Sequence, residues 1–318
     1  MRFEDATRLQ SPTGAALILR HLPANGAAKA VVLIAHGLAE HSLRYQRFAS
    51  FLASRGYHVY AHDHRGHGHT TAPGAEQGRF AAKDGALLVL DDVIAVRNFA
   101  TTRHPDLPIL LFGHSMGGLI AMATAQAHPL AFDALAVWNA NLNPGLAGKA
   151  GVMLLKAERF FKGSDVPSFY GPKFTFETWA KSVPGARTPF DWLSRDGREV
   201  QAYIDDPLCG FSASVSMWLD VLKLAGDSGG KPALGRLPKA LPVHLVGGGH
   251  DPATDRGMAM VWLAKRIRSL GMTEVTLTIH EEMRHETLNE IGHEDAMKAF
   301  AAWADGVVAR KSGKTANG

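Results

Sequence analysis

Five short apolar runs most constrain the fold of this chain. They are Ala30–Ala35, Tyr57–Ala61, Ile109–Phe112, Ala134–Trp138 and Val243–Val246. Runs of this length with no polar alternation suit strands buried on both faces of a parallel sheet. Between them lie helical patterns, at about 44–55, 84–100 and 118–127. Strands that alternate with helices imply a mainly parallel sheet with right-handed crossovers. Residues 2–22 add a hairpin around Ser11-Pro-Thr-Gly14, and Val275–Ile279 alternates like a last strand after a helix over 256–270. A final helix is expected over 288–308, and residues 311–318 read as a disordered tail.

The rhythm fails between residues 143 and 238. That stretch is rich in Pro, Gly and aromatic residues and has no clear buried strand. It reads as a helical cap inserted into a core made of 1–142 and 239–310. Most of its aromatics are expected to form the cap's own small core. Within it, residues 145–162 set Met153, Leu154, Leu155, Phe160 and Phe161 beside Lys149, Lys156, Arg159 and Lys162. This pattern fits either a cap helix packed on the core or one that touches a membrane or lipid aggregate.

Composition excludes several classes. A formal charge of +4, part of it from Arg310, Lys311 and Lys314 near the C-terminus, is too small and too dispersed for a nucleic-acid binder. The single cysteine, Cys209, allows no internal disulfide. No signal-peptide pattern opens the chain and no run of 18 apolar residues occurs, so a cytoplasmic location is expected.

The chemistry gathers on loops after the strands, where open α/β sheets bind ligands. Gly113-His-Ser-Met-Gly117 stands between a strand and a helix, the setting in which G-x-S-x-G places a serine on a sharp turn. The pentapeptide alone carries little weight, but it has partners. Asp251 and His285 each follow a later strand, in the order Ser, Asp, His. A serine hydroxyl needs a base as it attacks, histidine supplies one near neutral pH, and a buried carboxylate fixes its tautomer. The N–H groups of Met116 and of Leu38, after His36-Gly37, stand where oxyanion donors are required. Asp255 rivals Asp251, and His280 and His293 rival His285. Asp251 is preferred because it lies nearer its strand, and His285 because its rivals fall on a strand end and inside a helix. The histidines at 58, 62, 64, 67 and 69 match no standard metal-ligand set and are expected to hydrogen-bond loop backbone.

Five stretches together resemble the α/β-hydrolase superfamily, and within it the monoacylglycerol lipase/lysophospholipase-like (serine aminopeptidase-like) group. They are His36–Tyr45, Asp63–Gly68, Gly113–Gly118, Gly248–Pro252 and Arg284–Glu290. The resemblance implies an α/β-hydrolase fold with a cap, Ser115 as nucleophile, Asp251 as acid, His285 as base, and Leu38 and Met116 as oxyanion donors. It implies hydrolysis of small acyl esters through an acyl-enzyme, with no cofactor or metal. Amide or thioester hydrolysis would use the same triad, and a non-catalytic receptor would be expected to show a degraded one. Two positions depart from the group and would make the pocket more polar: Glu282, where Gly is usual, and Asn139-Ala-Asn141.

Overall fold

The computed structural model describes residues 2–315. Its centre is an eight-stranded sheet: β1 (Ala6–Gln10), β2 (Ala16–Leu22), β3 (Ala30–Ala35), β4 (Tyr57–His62), β5 (Ile109–His114), β6 (Ala134–Trp138), β7 (Val243–Gly248) and β8 (Val275–His280). The spatial order is β1-β2-β4-β3-β5-β6-β7-β8. Only β1 and β2 run antiparallel to their neighbours. From β4 to β8 every pairing is parallel. The five apolar runs supply β3 to β7, and every residue of β3, β5, β6 and β7 is buried.

Helices cover both faces. One face carries α1 (Gln46–Ala53) and α11 (His293–Thr315), packed through Phe48, Leu52, Phe300 and Val307 on Phe112 and Trp138. The other carries α2 (Gly85–Arg103), α3 (Met116–Ala127) and α10 (Met258–Ser269), packed on Leu33, Leu111 and Leu245. Between β6 and β7 lie α4 (Gly145–Lys162), α5 (Tyr170–Phe174), α6 (Phe176–Lys181), α7 (Gly197–Asp205), α8 (Val215–Ser228) and α9 (Lys231–Leu234). Trp192, Tyr203 and Phe190 form a small separate core there, whereas α8 shares its apolar face with α3.

Several expectations shift. Asp84 precedes α2 in a left-handed conformation and its side chain caps nothing. The last helix starts at His293, after a short 3₁₀ turn over Thr287–Asn289, and continues to Thr315. The expected tail from 311 is therefore helical as far as Thr315. Near the helix end Lys311 reaches Asp133. Residues 316–318 lie outside the described residues.

The histidines of this segment meet expectation in part: His67 Nδ1 donates to the carbonyl of Arg65 at 3.1 Å and His58 Nδ1 accepts from Ala24 N–H at 3.2 Å. Asp63 also ties the loop after β4, its carboxylate accepting from the backbone N–H of Ser42 and of His69. The rings of His36, His62, His64 and His67 pack on one another, and several of their buried nitrogens have no hydrogen-bond partner. Burial holds His62 down to about 4 and, with the neighbouring His36 ring, His67 to about 3; burial and then the His280 ring hold His244 to about 3. An unfolded chain takes up these protons from about pH 6.5 downward, whereas the folded one does not. The contribution to stability is therefore complete above about pH 6.5 and lost progressively toward about pH 4 and then 3. The urea midpoint is expected to fall clearly between pH 7 and pH 5. An unchanged midpoint would contradict this reading.

Candidate active site

The turn from β5 to α3 is forced by close packing. A Cβ on Gly117 would lie 2.0 Å from the carbonyl oxygen of Ala35, and one on Gly113 would lie 2.1 Å from that of Gly117. No side chain fits at either position. Ser115, between them, adopts φ 54° and ψ −122°, a conformation that costs a non-glycine residue energy. Its hydroxyl is thereby raised at the carboxyl edge of the sheet.

Around this hydroxyl the loops after β7 and β8 complete a line of hydrogen bonds. Ser115 Oγ donates to His285 Nε2 at 2.9 Å. His285 Nδ1 donates to Asp251, 3.0 Å from each carboxylate oxygen. Asp251 is fully buried and also accepts from Ala253 N–H, Thr254 Oγ1 and Asn139 Nδ2. Burial works to raise its pKa, but His285 and the Thr254 and Asn139 hydrogen bonds hold it below the usual carboxylate range. It is a fixed negative charge beside the imidazole. The rivals stand elsewhere. Asp255 sits at φ 51° with no bond to His285. His280 ends β8, and His293 Nδ1 donates to the carbonyl of Glu290.

Leu38 and Met116 line the same cavity as Ser115 and His285. Among the described residues neither N–H has a protein acceptor, so both are free for a developing oxyanion. Gly37 N–H, one residue earlier, donates to Glu40 Oε1 at 2.5 Å. Glu40 also accepts from Tyr45 Oη at 2.9 Å and from Arg44 at 2.7 Å. Arg44 grips Glu286 with two hydrogen bonds of 2.6 and 2.7 Å. One buried guanidinium thus joins the loop after β3 to the residue after His285. Burial opposes the charge of Glu40, yet His114 and Arg44 hold its carboxyl well below the usual range. Burial also depresses His114, but Glu40 outweighs it and raises that imidazole. His114 Nε2 donates in turn to the carbonyl of His285 at 2.9 Å.

Losing Arg44 would leave two buried carboxylates without their cation. Arg44→Leu is expected to destabilise the fold by about 3–5 kcal/mol, read by chemical denaturation. A loss under about 1 kcal/mol would mean that the network is solvated.

Sequence reasoning missed two parts of this site and misjudged a third residue. Asn139 stood out only as a polar departure, yet its amide holds Asp251 rather than facing the pocket alone. It adopts φ 48° to do so. Glu286 follows the histidine directly, but its partner Arg44 is 242 residues away. Glu282 does not touch the cavity; its side chain is 73% exposed and pairs with Arg195 at 3.6 Å.

Above Ser115 a cavity of about 570 Å³ opens beneath α4, α5, α6 and α8. Its walls are mostly apolar and include Leu119, Leu154, Phe176, Trp179, Trp218 and Leu222, with Asn141 and Asp255 as polar points. Not all the aromatics of the insertion turn inward. Phe160 and Phe161 are 84% and 82% exposed on α4, beside Met153 at 72%.

The chain is similar to several known proteins. A family profile described as serine aminopeptidase S33 matches residues 26–292. The chain is 28% identical to the monoglyceride lipase of Mus musculus over 298 residues, covering 92% of this chain and 89% of that protein. It is 30% identical to the monoglyceride lipase of Homo sapiens over 243 residues, covering 76% and 69%. A carboxyl esterase from Bacillus coagulans, solved with glycerol, superposes with a TM-score of 0.87 at 21% identity, over 97% of this chain and 99% of its own.

Proposed function

The chain belongs to the serine aminopeptidase S33 family of α/β-hydrolases, and from that premise we propose a serine ester hydrolase of monoacylglycerol lipase type. The observation that carries the proposal is the unbroken Ser115–His285–Asp251 hydrogen-bond line at the floor of an apolar cavity. In this reading Ser115 Oγ attacks the ester carbonyl as its proton passes to His285 Nε2. Asp251 holds the imidazole through Nδ1 and stabilises its charged form. The tetrahedral oxyanion rests on Leu38 and Met116 N–H. Collapse breaks the bond to the alcohol, which leaves with the proton from Nε2. Water then attacks the acyl-serine, gives its proton to His285, and the carboxylic acid departs with Ser115 restored.

The substrate class follows from the walls. A cavity lined by Trp179, Trp218, Phe176 and Leu154 suits an acyl chain, and Asn141 and Asp255 suit the hydroxyls of a small alcohol. The exposed Phe160, Phe161 and Met153 on α4 support contact between the cap, within 143–238, and a lipid aggregate. No helix among the described residues is long and apolar enough to cross a membrane. The single cysteine supports a cytoplasmic setting.

One experiment tests substrate class and lipid contact together. A long-chain monoacylglycerol in mixed micelles is expected to turn over faster than the matched amide. Phe160→Ser/Phe161→Ser should depress that rate several-fold while leaving a short, soluble p-nitrophenyl ester unaffected. Faster amide hydrolysis would overturn the esterase assignment. Equal rates for variant and parent on micelles would remove the interfacial role.

A further inference from the structure

A second cluster of chemistry lies at the opposite edge of the sheet from Ser115. In the antiparallel pairing of β2 with β4, His21 stands opposite Tyr60. The two-residue period of a strand puts His58 on the same face as Tyr60. His104, the C-cap of α2, closes over that face, its ring stacked on His58 with centroids 3.9 Å apart. One ring nitrogen from each of His21, His58 and His104 lies within 4.8 Å of the other two. All three residues are half-buried, so water still has access. His58 is the second residue of β4, at the amino end of the parallel strands.

Three features suit a metal ion. First, all three donors are imidazoles, the commonest protein ligands for such an ion. Burial and then the neighbouring rings hold His21 down to about 4, and burial also lowers His58 and His104. Second, His21 Nε2 and His58 Nδ1 stand 3.3 Å apart. Two nitrogens bound to a tetrahedral ion at about 2.0–2.1 Å are themselves separated by about 3.3 Å. Third, Tyr60 Oη lies 2.9 Å from His104 Nε2. Metal-bound histidines commonly have one ring nitrogen oriented in this way by an outer partner. Two features limit the affinity. Ala24 N–H donates to His58 Nδ1 at 3.2 Å, and the positive charge of Arg103 is felt at His21 and His104.

We propose that His21, His58 and His104 form a surface site for a borderline divalent transition ion, zinc foremost, with water completing the coordination. Three neutral imidazoles match that ion class and not calcium or magnesium, which take oxygen ligands. The ion ties β2, β4 and the end of α2 together and has no part in ester hydrolysis. In a rival trio, His41, Asp206 and Cys209, one ligand atom from each residue also lies within 4.8 Å of the other two. Its geometry is less suitable: His41 Nε2 is already paired with Asp206 at 2.8 Å, and burial pushes the Cys209 thiol up, away from the ligating thiolate.

The test uses untagged full-length protein, freed of metal with a chelator and titrated with Zn²⁺ against a chromophoric competitor. One ion should bind per chain with micromolar affinity. Binding should weaken at least about tenfold in His21→Ala and in His104→Gln, and about tenfold in Tyr60→Phe, which keeps the ring and its packing. Cys209→Ser should bind as the parent does. One equivalent of zinc should raise the Tm of the parent but not of His104→Gln, and leave ester hydrolysis unchanged. Absence of binding in the micromolar range would overturn the proposal. So would binding that survives in the three site variants, or that is lost with Cys209→Ser.

Discussion

Ser115→Ala is expected to lower kcat on esters by about 10⁵-fold or more, with KM little changed. The expectation rests on how little else the side chain does. Its hydroxyl has one hydrogen bond, to His285 Nε2. The strained backbone at φ 54° is imposed by the glycines on either side and suits alanine no worse than serine. The Tm should therefore stay within a few degrees of the parent. Steady-state kinetics with a thermal melt on the same preparation checks both halves. A residual rate above about 1% of the parent would show that another group attacks the carbonyl.

Asp251→Asn should cost about 10⁴-fold in kcat and, unlike the serine variant, also cost stability. Both carboxylate oxygens are committed as acceptors. Oδ1 takes Ala253 N–H and His285 Nδ1, and Oδ2 takes Thr254 Oγ1, Asn139 Nδ2 and His285 Nδ1. An amide NH₂ in place of either oxygen sets donor against donor in a fully buried site. Each lost bond there is worth about 1–3 kcal/mol. Asp255→Asn, by contrast, should leave the rate within a few-fold of the parent, because Asp255 makes no bond to His285. If the two variants exchanged these phenotypes, Asp255 would be the acid. Urea denaturation beside kcat separates the catalytic from the structural loss.

How much of this was legible in the sequence depends on whether the cause was local. β3, β5, β6 and β7 were legible because strands buried on both faces leave unbroken apolar runs. The turn that carries Ser115 was legible because its glycines are forced by contacts within one strand–turn–helix unit and with β3. Chain order then pointed to Asp251 and His285. Helix ends were less legible. Asp84 has a capping side chain in the right place, but its left-handed backbone turns it away. The start of α11 follows Gly292 at φ 86°, after a 3₁₀ turn that carries an apolar residue of its own, Leu288. Contacts between distant segments that no motif marks were not legible. Nothing near Glu286 announces Arg44, and nothing near Asn139 announces Asp251. The fate of the inserted aromatics was settled by packing as well, since Trp192 enters a small core, Trp179 faces the cavity and Phe160 faces solvent.

The central claim is that Ser115 is the activated nucleophile of this fold. A fluorophosphonate probe reacts with a serine only where a base and an oxyanion site activate it. Intact-protein mass spectrometry of the folded chain should show one adduct, peptide mapping should place it on Ser115, and ester hydrolysis should fall in step with labelling. Ser115→Ala should take up none. An unlabelled folded protein, or an adduct on another residue with activity lost in parallel, would contradict the account.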